Sequence, residues 1–232
     1  CDRPCEPACR RTRVEEKPVA ICRLKRVAAD QRDDVTPLLP KVPQLKNGKR
    51  IACVGAGCAS LTVANDLLPL GYEITMFEQW GQAGGLMRTN IPSFRLPAQV
   101  LNEEIAMIVD RGVDLQLGAR IESMQKLLSD GGFDAVFVGT GAPKGKELDL
   151  PGRKEGTANI HVGIDWLESL AFGHVDSIGK RVLIIGVGNT AMDCCRSSLR
   201  LGAADVKVMA RKPRQYFKAS AWELEDAEEE RV

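Results

Sequence analysis

The sequence predicts a doubly wound α/β fold, because one pattern occurs twice along the chain. A short apolar run ends in a Gly-x-Gly turn, continues into a helical pattern and returns as a second apolar run. Strands and helices that alternate in this way need right-handed crossovers, which imply parallel sheets covered on both faces. Two Rossmann-like dinucleotide-binding units are therefore expected, preceded by a short helical and loop segment rich in cysteine.

In chain order, residues 1–46 form the cysteine-rich segment and linker. They carry Cys1, Cys5, Cys9 and Cys22, a basic stretch from Arg23 to Arg26, and the spaced prolines Pro37, Pro40 and Pro43. Residues 47–150 form the first nucleotide unit. Ile51 to Val54 is its first strand, Gly55-Ala56-Gly57 the turn, Leu61 to Leu70 the helix and Glu73 to Phe77 the next strand. From Pro97 to Gly112, Leu101, Ile105, Ile108 and Val109 recur at helical spacing, with Pro97 placed for a helix start. Asp134 to Val138 is a strand ending in Gly139-Thr140-Gly141, and Pro151-Gly152 marks a boundary. Residues 151–232 form the second unit: strand Arg181 to Ile185, turn Gly186-Val187-Gly188, helix Thr190 to Leu201 and strand Val206 to Met209. The last ten residues are an acidic helical pattern, and both ends are expected to be truncations.

Composition excludes several functions. The 32 Lys and Arg balance 31 Asp and Glu, which leaves no electrostatic footprint for nucleic acid or an anionic membrane surface. No apolar run approaches the roughly 20 residues of a membrane-spanning helix, so a soluble, cytoplasmic protein is expected. The 8 cysteines are divided between the first 22 residues and apolar stretches, unlike a secreted disulfide framework. Cys53, Cys58, Cys194 and Cys195 read as packing residues; the last two are neighbours on a helix and point about 100° apart.

Gly55-Ala56-Gly57-Cys58-Ala59-Ser60 lies between strand and helix, where the first glycine permits the tight turn and the second lets backbone approach a pyrophosphate. Glu78 stands 23 residues after Gly55, at the end of the next strand, where a carboxylate accepts hydrogen bonds from a ribose hydroxyl. Ser60 departs from the usual third glycine, and slight loosening of helix on strand is expected. Gly186-Val187-Gly188-Asn189-Thr190-Ala191 repeats the arrangement. At the corresponding strand end, however, stand Arg211 and Lys212. An acid there would repel a 2′-phosphate, whereas Arg211 can bind it bidentately and Lys212 adds charge. The second site is therefore expected to prefer NADPH to NADH.

Glu78, Gly84-Gly85-Leu86, Ile91-Pro92 and Phe94-Arg95-Leu96-Pro97, followed by Gly186-x-Gly188-Asn189-Thr190-Ala191-Met192-Asp193 and Arg200-Leu201-Gly202-Ala203, resemble the glutamate synthase small subunit. They are also similar to the N-terminal half of dihydropyrimidine dehydrogenase. The resemblance implies FAD in the first unit and NADPH in the second, with Gly84, Gly85, Leu86, Arg95 and the loop Gly139, Thr140 and Gly141 lining the flavin site. It places the last flavin-contacting segment beyond Val232. Thr89 and Asn90 replace the usual tyrosine and glycine, which points to a sister branch serving another partner enzyme.

Cys1, Cys5 and Cys9 follow C-x3-C-x3-C, and Pro4 with Pro7 argues against one helix carrying all three. Thiolates so placed suit zinc or an iron–sulfur cluster, and the spacing alone leaves both open. The resemblance implies a [4Fe-4S] cluster. Cys22 is either a fourth ligand or a buried apolar residue. His161 and His174 are the only histidines, and no catalytic side chain is expected, since hydride transfer between nicotinamide and flavin needs none.

The resemblance thus implies an oxidoreductase passing hydride from NADPH to FAD, then electrons through iron–sulfur clusters to a larger catalytic subunit or another electron acceptor. The rival readings are a flavoprotein subunit of a formate dehydrogenase, hydrogenase or ferredoxin:NADP system, and a non-catalytic cluster-carrying scaffold.

Overall fold

Residues 3–40 bury no side chain within their helices in the computed structural model, which describes residues 3–232. They belong to the first of two compact units, Cys1–Pro40 and Lys41–Val232. Turns occupy residues 4–8 where the prolines fall, and helix α1 (Ile21–Asp30) follows with Leu24 and Val27 exposed.

In the second unit, strand β1 (Arg50–Val54) is buried from Ile51 to Val54 and so is covered on both faces, as the centre of a parallel sheet requires. Helix α2 (Cys58–Leu67) starts three residues before the expected Leu61, because Gly57 already serves as its N-cap. A 3₁₀ turn, Leu68–Leu70, closes at Gly71 with φ of 83°. Strand β2 (Glu73–Glu78), helix α3 (Leu86–Thr89) and helix α4 (Ala98–Val109) come next, with Pro97 as the N-cap of α4. Strand β3 (Val113–Leu117), helix α5 (Met124–Asp130) and strand β4 (Ala135–Val138) complete the first layer set.

The four strands are parallel in the order β3-β2-β1-β4. The register pairs Val54 with both Phe77 and Val138, so the carboxyl ends of β2, β1 and β4 are level and the Gly55 turn opens there. Leu61, Ala64, Leu101 and Ile105 from α2 and α4 pack on Cys53, Ile74, Met76 and Val113. Burial of Leu68, Ile74 and Met76 stabilises the unit by about 1.5 to 3 kcal/mol each.

Beyond α6 (Gly163–Ala171), strands β5 (Arg181–Ile185) and β6 (Asp205–Met209) pair in parallel around the crossover helix α7 (Asn189–Arg200). Helix α8 (Ala221–Glu229) packs with α7. Every residue of α7 from Ala191 to Ser198 is buried, because α6, α8 and the sheet enclose it. The sheet itself departs from the expectation of two covered faces. Val182, Ile184, Val206 and Val208 face the helices, while Leu183, Ile185 and Met209 are 59%, 53% and 47% exposed. The cause is that α6, α7 and α8 all pack against that one face.

Candidate functional site

The first glycine turn is built from residues that have to be small for different reasons. Gly55 has φ of +94°, and a Cβ there would lie 2.6 Å from the Gly139 carbonyl oxygen, so the turn itself demands glycine. Gly57 has an ordinary φ of −84°, and a Cβ would meet only the Gly85 Cα at 3.7 Å. The protein interior does not require glycine there, and the bare backbone leaves room for a phosphate at the α2 N-terminus. Ser60 is fully buried, and its Oγ occupies the space that a Cβ on Gly139 would need, 2.2 Å away. The serine is thus accommodated by a glycine on the neighbouring strand end.

Glu78 is buried, and its carboxylate accepts hydrogen bonds from the backbone N–H of Ala56 at 2.9 Å and of Trp80 at 3.0 Å. It holds the loop in place, and each oxygen keeps a second lone pair for a hydroxyl donor. The Gly84 N–H donates to the Ala56 carbonyl at 2.8 Å. Gly85, at φ of +52°, lies so close to Gly57 that a Cβ would be 2.8 Å from its Cα. Thr140 and Gly141 follow β4 and are exposed, with the Thr140 Cα 3.2 Å from where a Gly55 Cβ would stand. Gly55, Gly57, Ser60, Glu78, Gly84, Gly85 and Thr140 therefore gather at the carboxyl end of the sheet. Ala59 is exposed in the first turn of α2, and Leu86 is exposed at the start of α3.

The second turn repeats this conformation. Gly186 has φ of +126° and its N–H donates to the Met209 carbonyl at 3.0 Å. Gly188, at φ of −99°, caps α7 and has no neighbour within 4 Å of an added Cβ. Asn189 accepts a hydrogen bond from the Ser220 N–H at 2.9 Å, and the Val187 carbonyl accepts from Lys218 and Ala219. Thr190 is exposed in the first turn of α7. Arg211 and Lys212 stand exposed just beyond β6, neither in an ion pair among the described residues; the Lys212 Nζ lies 5.5 Å from the Tyr216 ring centroid. One loop thus ends beside a buried acid, the other beside two free cations.

Arg95 is bonded to the helices of the second half. Its guanidinium donates to both carboxylate oxygens of Asp193 on α7, at 2.6 and 2.8 Å, and to Glu223 on α8. Asp193, Glu223 and Gly139 carry this geometry, although no role is expected of the first two and Gly139 is expected only to line the flavin site. Their partners lie 98, 128 and 79 residues away in sequence, beyond the reach of any local pattern.

Of the four N-terminal cysteines, Cys1 lies outside the described residues. The Sγ atoms of Cys5 and Cys22 are 3.9 Å apart, and the Cys22 N–H donates to the Glu6 carboxylate at 3.0 Å. Among the described residues no three His, Cys, Asp or Glu side chains converge as a metal site, so Cys5, Cys9 and Cys22 do not form a cage as placed. Burial pushes the thiols of Cys53 and Cys195 up to about 11 and that of Cys194 up to about 12, which makes them unreactive.

No helix among the described residues is long and apolar enough to cross a membrane.

The chain is 37% identical to the β subunit of an NADP(+)-dependent formate dehydrogenase from Moorella thermoacetica, which it matches over its whole length and over 36% of that protein. It is 37% identical to the β subunit of an NADPH-Fe(3+) oxidoreductase from Geobacter sulfurreducens, covering 35% of it. It is 31% identical to the glutamate synthase [NADPH] small chain of Azospirillum brasilense, covering 50%. The resemblance read from the motifs is therefore borne out, and the chain spans between about a third and a half of these relatives. Mycobacterium tuberculosis FprA, solved with NADPH, shares the fold with a TM-score of 0.65 at 19% identity, over 78% of this chain and 47% of that one. The model of the pyridine nucleotide-disulphide oxidoreductase family matches residues 49–232, and since these residues include both glycine turns and both sheets, the chain belongs to that family.

Proposed function

We propose that this chain binds FAD at the first glycine turn and NADPH at the second, and that it passes reducing equivalents from one to the other. The observation that carries the reading is the contrast between two loops of one conformation. The first ends at buried Glu78, which suits a ribose hydroxyl, and the second at Arg211 and Lys212, which suit a 2′-phosphate. Gly57 and Gly188 support it further, since each could carry a Cβ without a clash inside the protein and the approach of a pyrophosphate explains why neither does.

In this reading Gly55, Gly57, Ala59, Ser60, Glu78, Gly84, Gly85, Leu86, Thr140 and Gly141 surround the flavin nucleotide. Gly186, Gly188, Asn189, Thr190, Arg211 and Lys212 hold NADPH. When bound, the two cofactors supply the redox chemistry, a hydride passing from the nicotinamide to the flavin ring. The chain's own residues bind and orient. The α2 and α7 N-termini direct backbone N–H groups at phosphate, and the free cations select the phosphorylated ribose. Divisions at 46/47 and 150/151 follow from the two loops as functional units.

The wider assignment rests on the relatives. Electrons would leave through a [4Fe-4S] cluster held by the C-x3-C-x3-C segment, with Cys1, Cys5, Cys9 and Cys22 as candidate ligands, to a larger catalytic subunit. The higher identity to the formate dehydrogenase and Fe(3+) oxidoreductase subunits, with Thr89 and Asn90 departing from the glutamate synthase pattern, favours an acceptor other than glutamate synthase.

The test is nucleotide choice in the longer protein. Arg211→Ala is expected to weaken NADPH by about 1.5 to 3 kcal/mol, the loss of a charged hydrogen bond, and to leave NADH nearly unchanged. Binding isotherms for both nucleotides measure it, and equal losses would remove the assignment of the second loop.

A further inference from the structure

Residues 84–97 run from the first glycine turn to the helix that leads away from the second. At the near end, the Gly84 N–H is bonded to Ala56 and Gly85 lies against Gly57. At the far end, Arg95 grips Asp193, one helical turn past Asn189 on α7, and Glu223 on α8. Beside it, the Phe94 ring lies under the guanidinium groups of Arg196 at 5.0 Å and Arg200 at 3.8 Å. The Asn90 amide donates to the Ile164 carbonyl of α6 at 2.8 Å. Between these points the segment and helices α6 and α7 line a cavity of about 500 Å³, with Met87, Phe94, Leu101, Leu167, Leu170 and Ser197 in its wall. The segment meets α7 and α8 through these polar and cation–π contacts, while Met87 and Leu96 pack on the core of the first sheet.

The carboxylates are costly to place. Asp193 and Glu223 are 6% and 3% exposed, and burial pushes the Asp193 carboxyl upward against the pull of Arg95. The pair faces Arg95 and, at 3.7 Å from Glu223, Arg196, and a buried ionic cluster of this kind is weak evidence for stability. What this cluster does is join the two halves of the nucleotide-binding unit, each half carrying one loop.

We infer that Arg95 is a positioning residue: with Asp193 and Glu223 it forms a latch that fixes the first glycine loop relative to the second, and thereby sets the rate at which reducing equivalents cross between their ligands. The inference rests on the proposed function for what the loops hold. Geometry of this kind matters because a misplacement of about 1 Å can cost on the order of a hundredfold in rate.

The experiment uses the longer protein with its flavin bound, as wild type, Arg95→Lys, Glu223→Gln and the double variant. Lysine keeps the charge but not the two-pronged hold. Flavin content, the equilibrium Kd for NADPH and the anaerobic rate of flavin reduction at saturating NADPH are measured. The latch is expected to leave content and Kd within about threefold while the rate falls about tenfold or more, with the double variant no slower than the worse single one. Unchanged rates, additive losses, or a loss of flavin that parallels the rate would overturn it, the last making Arg95 a flavin ligand. Hydrogen exchange in residues 84–96 and 189–200 gives a second reading that needs no nucleotide: Glu223→Gln should speed exchange in both segments together, and exchange confined to α8 overturns the latch. If NADPH fails to reduce the flavin of the wild type, the proposed function falls, and the exchange result alone decides the latch.

Discussion

Gly55 and Gly57 lack a side chain for different reasons, and the difference can be measured. Alanine at position 55 would have to adopt φ of +94° and would push its Cβ to 2.6 Å from the Gly139 carbonyl oxygen, so Gly55→Ala is expected to destabilise the fold by about 1 to 3 kcal/mol or more. Alanine at 57 meets nothing closer than 3.7 Å; its cost in urea unfolding is expected to stay within about 1 kcal/mol, while flavin content collapses. A Gly57→Ala protein that folds and keeps its flavin would show that this loop binds something else. The cysteines separate in the same way. Cys58 is exposed, whereas Cys53, Cys194 and Cys195 are buried with thiols raised to about 11, 12 and 11. Under native conditions iodoacetamide is expected to label Cys58 and to spare those three until the protein is unfolded, as peptide mass mapping would record. Glu78, Arg211 and the loop glycines were legible in the sequence because their spacing from the turns is local. The placements of Gly139 beneath Ser60 and of Asp193 opposite Arg95 were not, since each depends on a chain reversal of more than 70 residues.

At the scale of elements, α7 and α8 are tied by charge as well as by packing. Glu230, just past α8, accepts from Arg200 and Arg196, and those hydrogen bonds, Arg200's foremost and opposed by partial burial, draw its carboxyl down to about 2 from an ordinary 4.5. Because the folded value lies below the unfolded one, the stabilisation is complete above about pH 5 and is lost as the pH falls through 4.5 toward 2. Glu230→Gln is therefore expected to destabilise the protein by about 1 to 2 kcal/mol at neutral pH, a modest figure because the side chain is 26% exposed. The deficit should vanish near pH 2; urea midpoints across that range check it, and a deficit independent of pH would assign the loss to packing. The helices with clear apolar periodicity, α2, α4 and α7, were readable from the sequence. Strand β3 was not, being a five-residue edge strand in which Val113, Leu115 and Leu117 alternate with Asp114 and Gln116, nor was α5, which buries no residue at all.

For the whole molecule, the repeated strand–turn–helix–strand pattern foretold the parallel sheets and their glycine turns, since both arise from short-range geometry. It did not foretell that the second sheet has one bare face, because that depends on which side the later helices pack. The arrangement that results places two loops of like conformation and unlike charge in one compact unit, with Arg95 bonded to Asp193 on α7 and Glu223 on α8. In the proposed function the second loop's ligand reduces the first loop's. Anaerobic addition of NADPH to the longer, flavin-loaded protein tests it most directly, read as bleaching of the flavin absorption. Bleaching by about one equivalent of NADPH per flavin is expected, and much slower bleaching by NADH. A flavin that stays oxidised with NADPH bound, or that bleaches equally fast with either nucleotide, would contradict it.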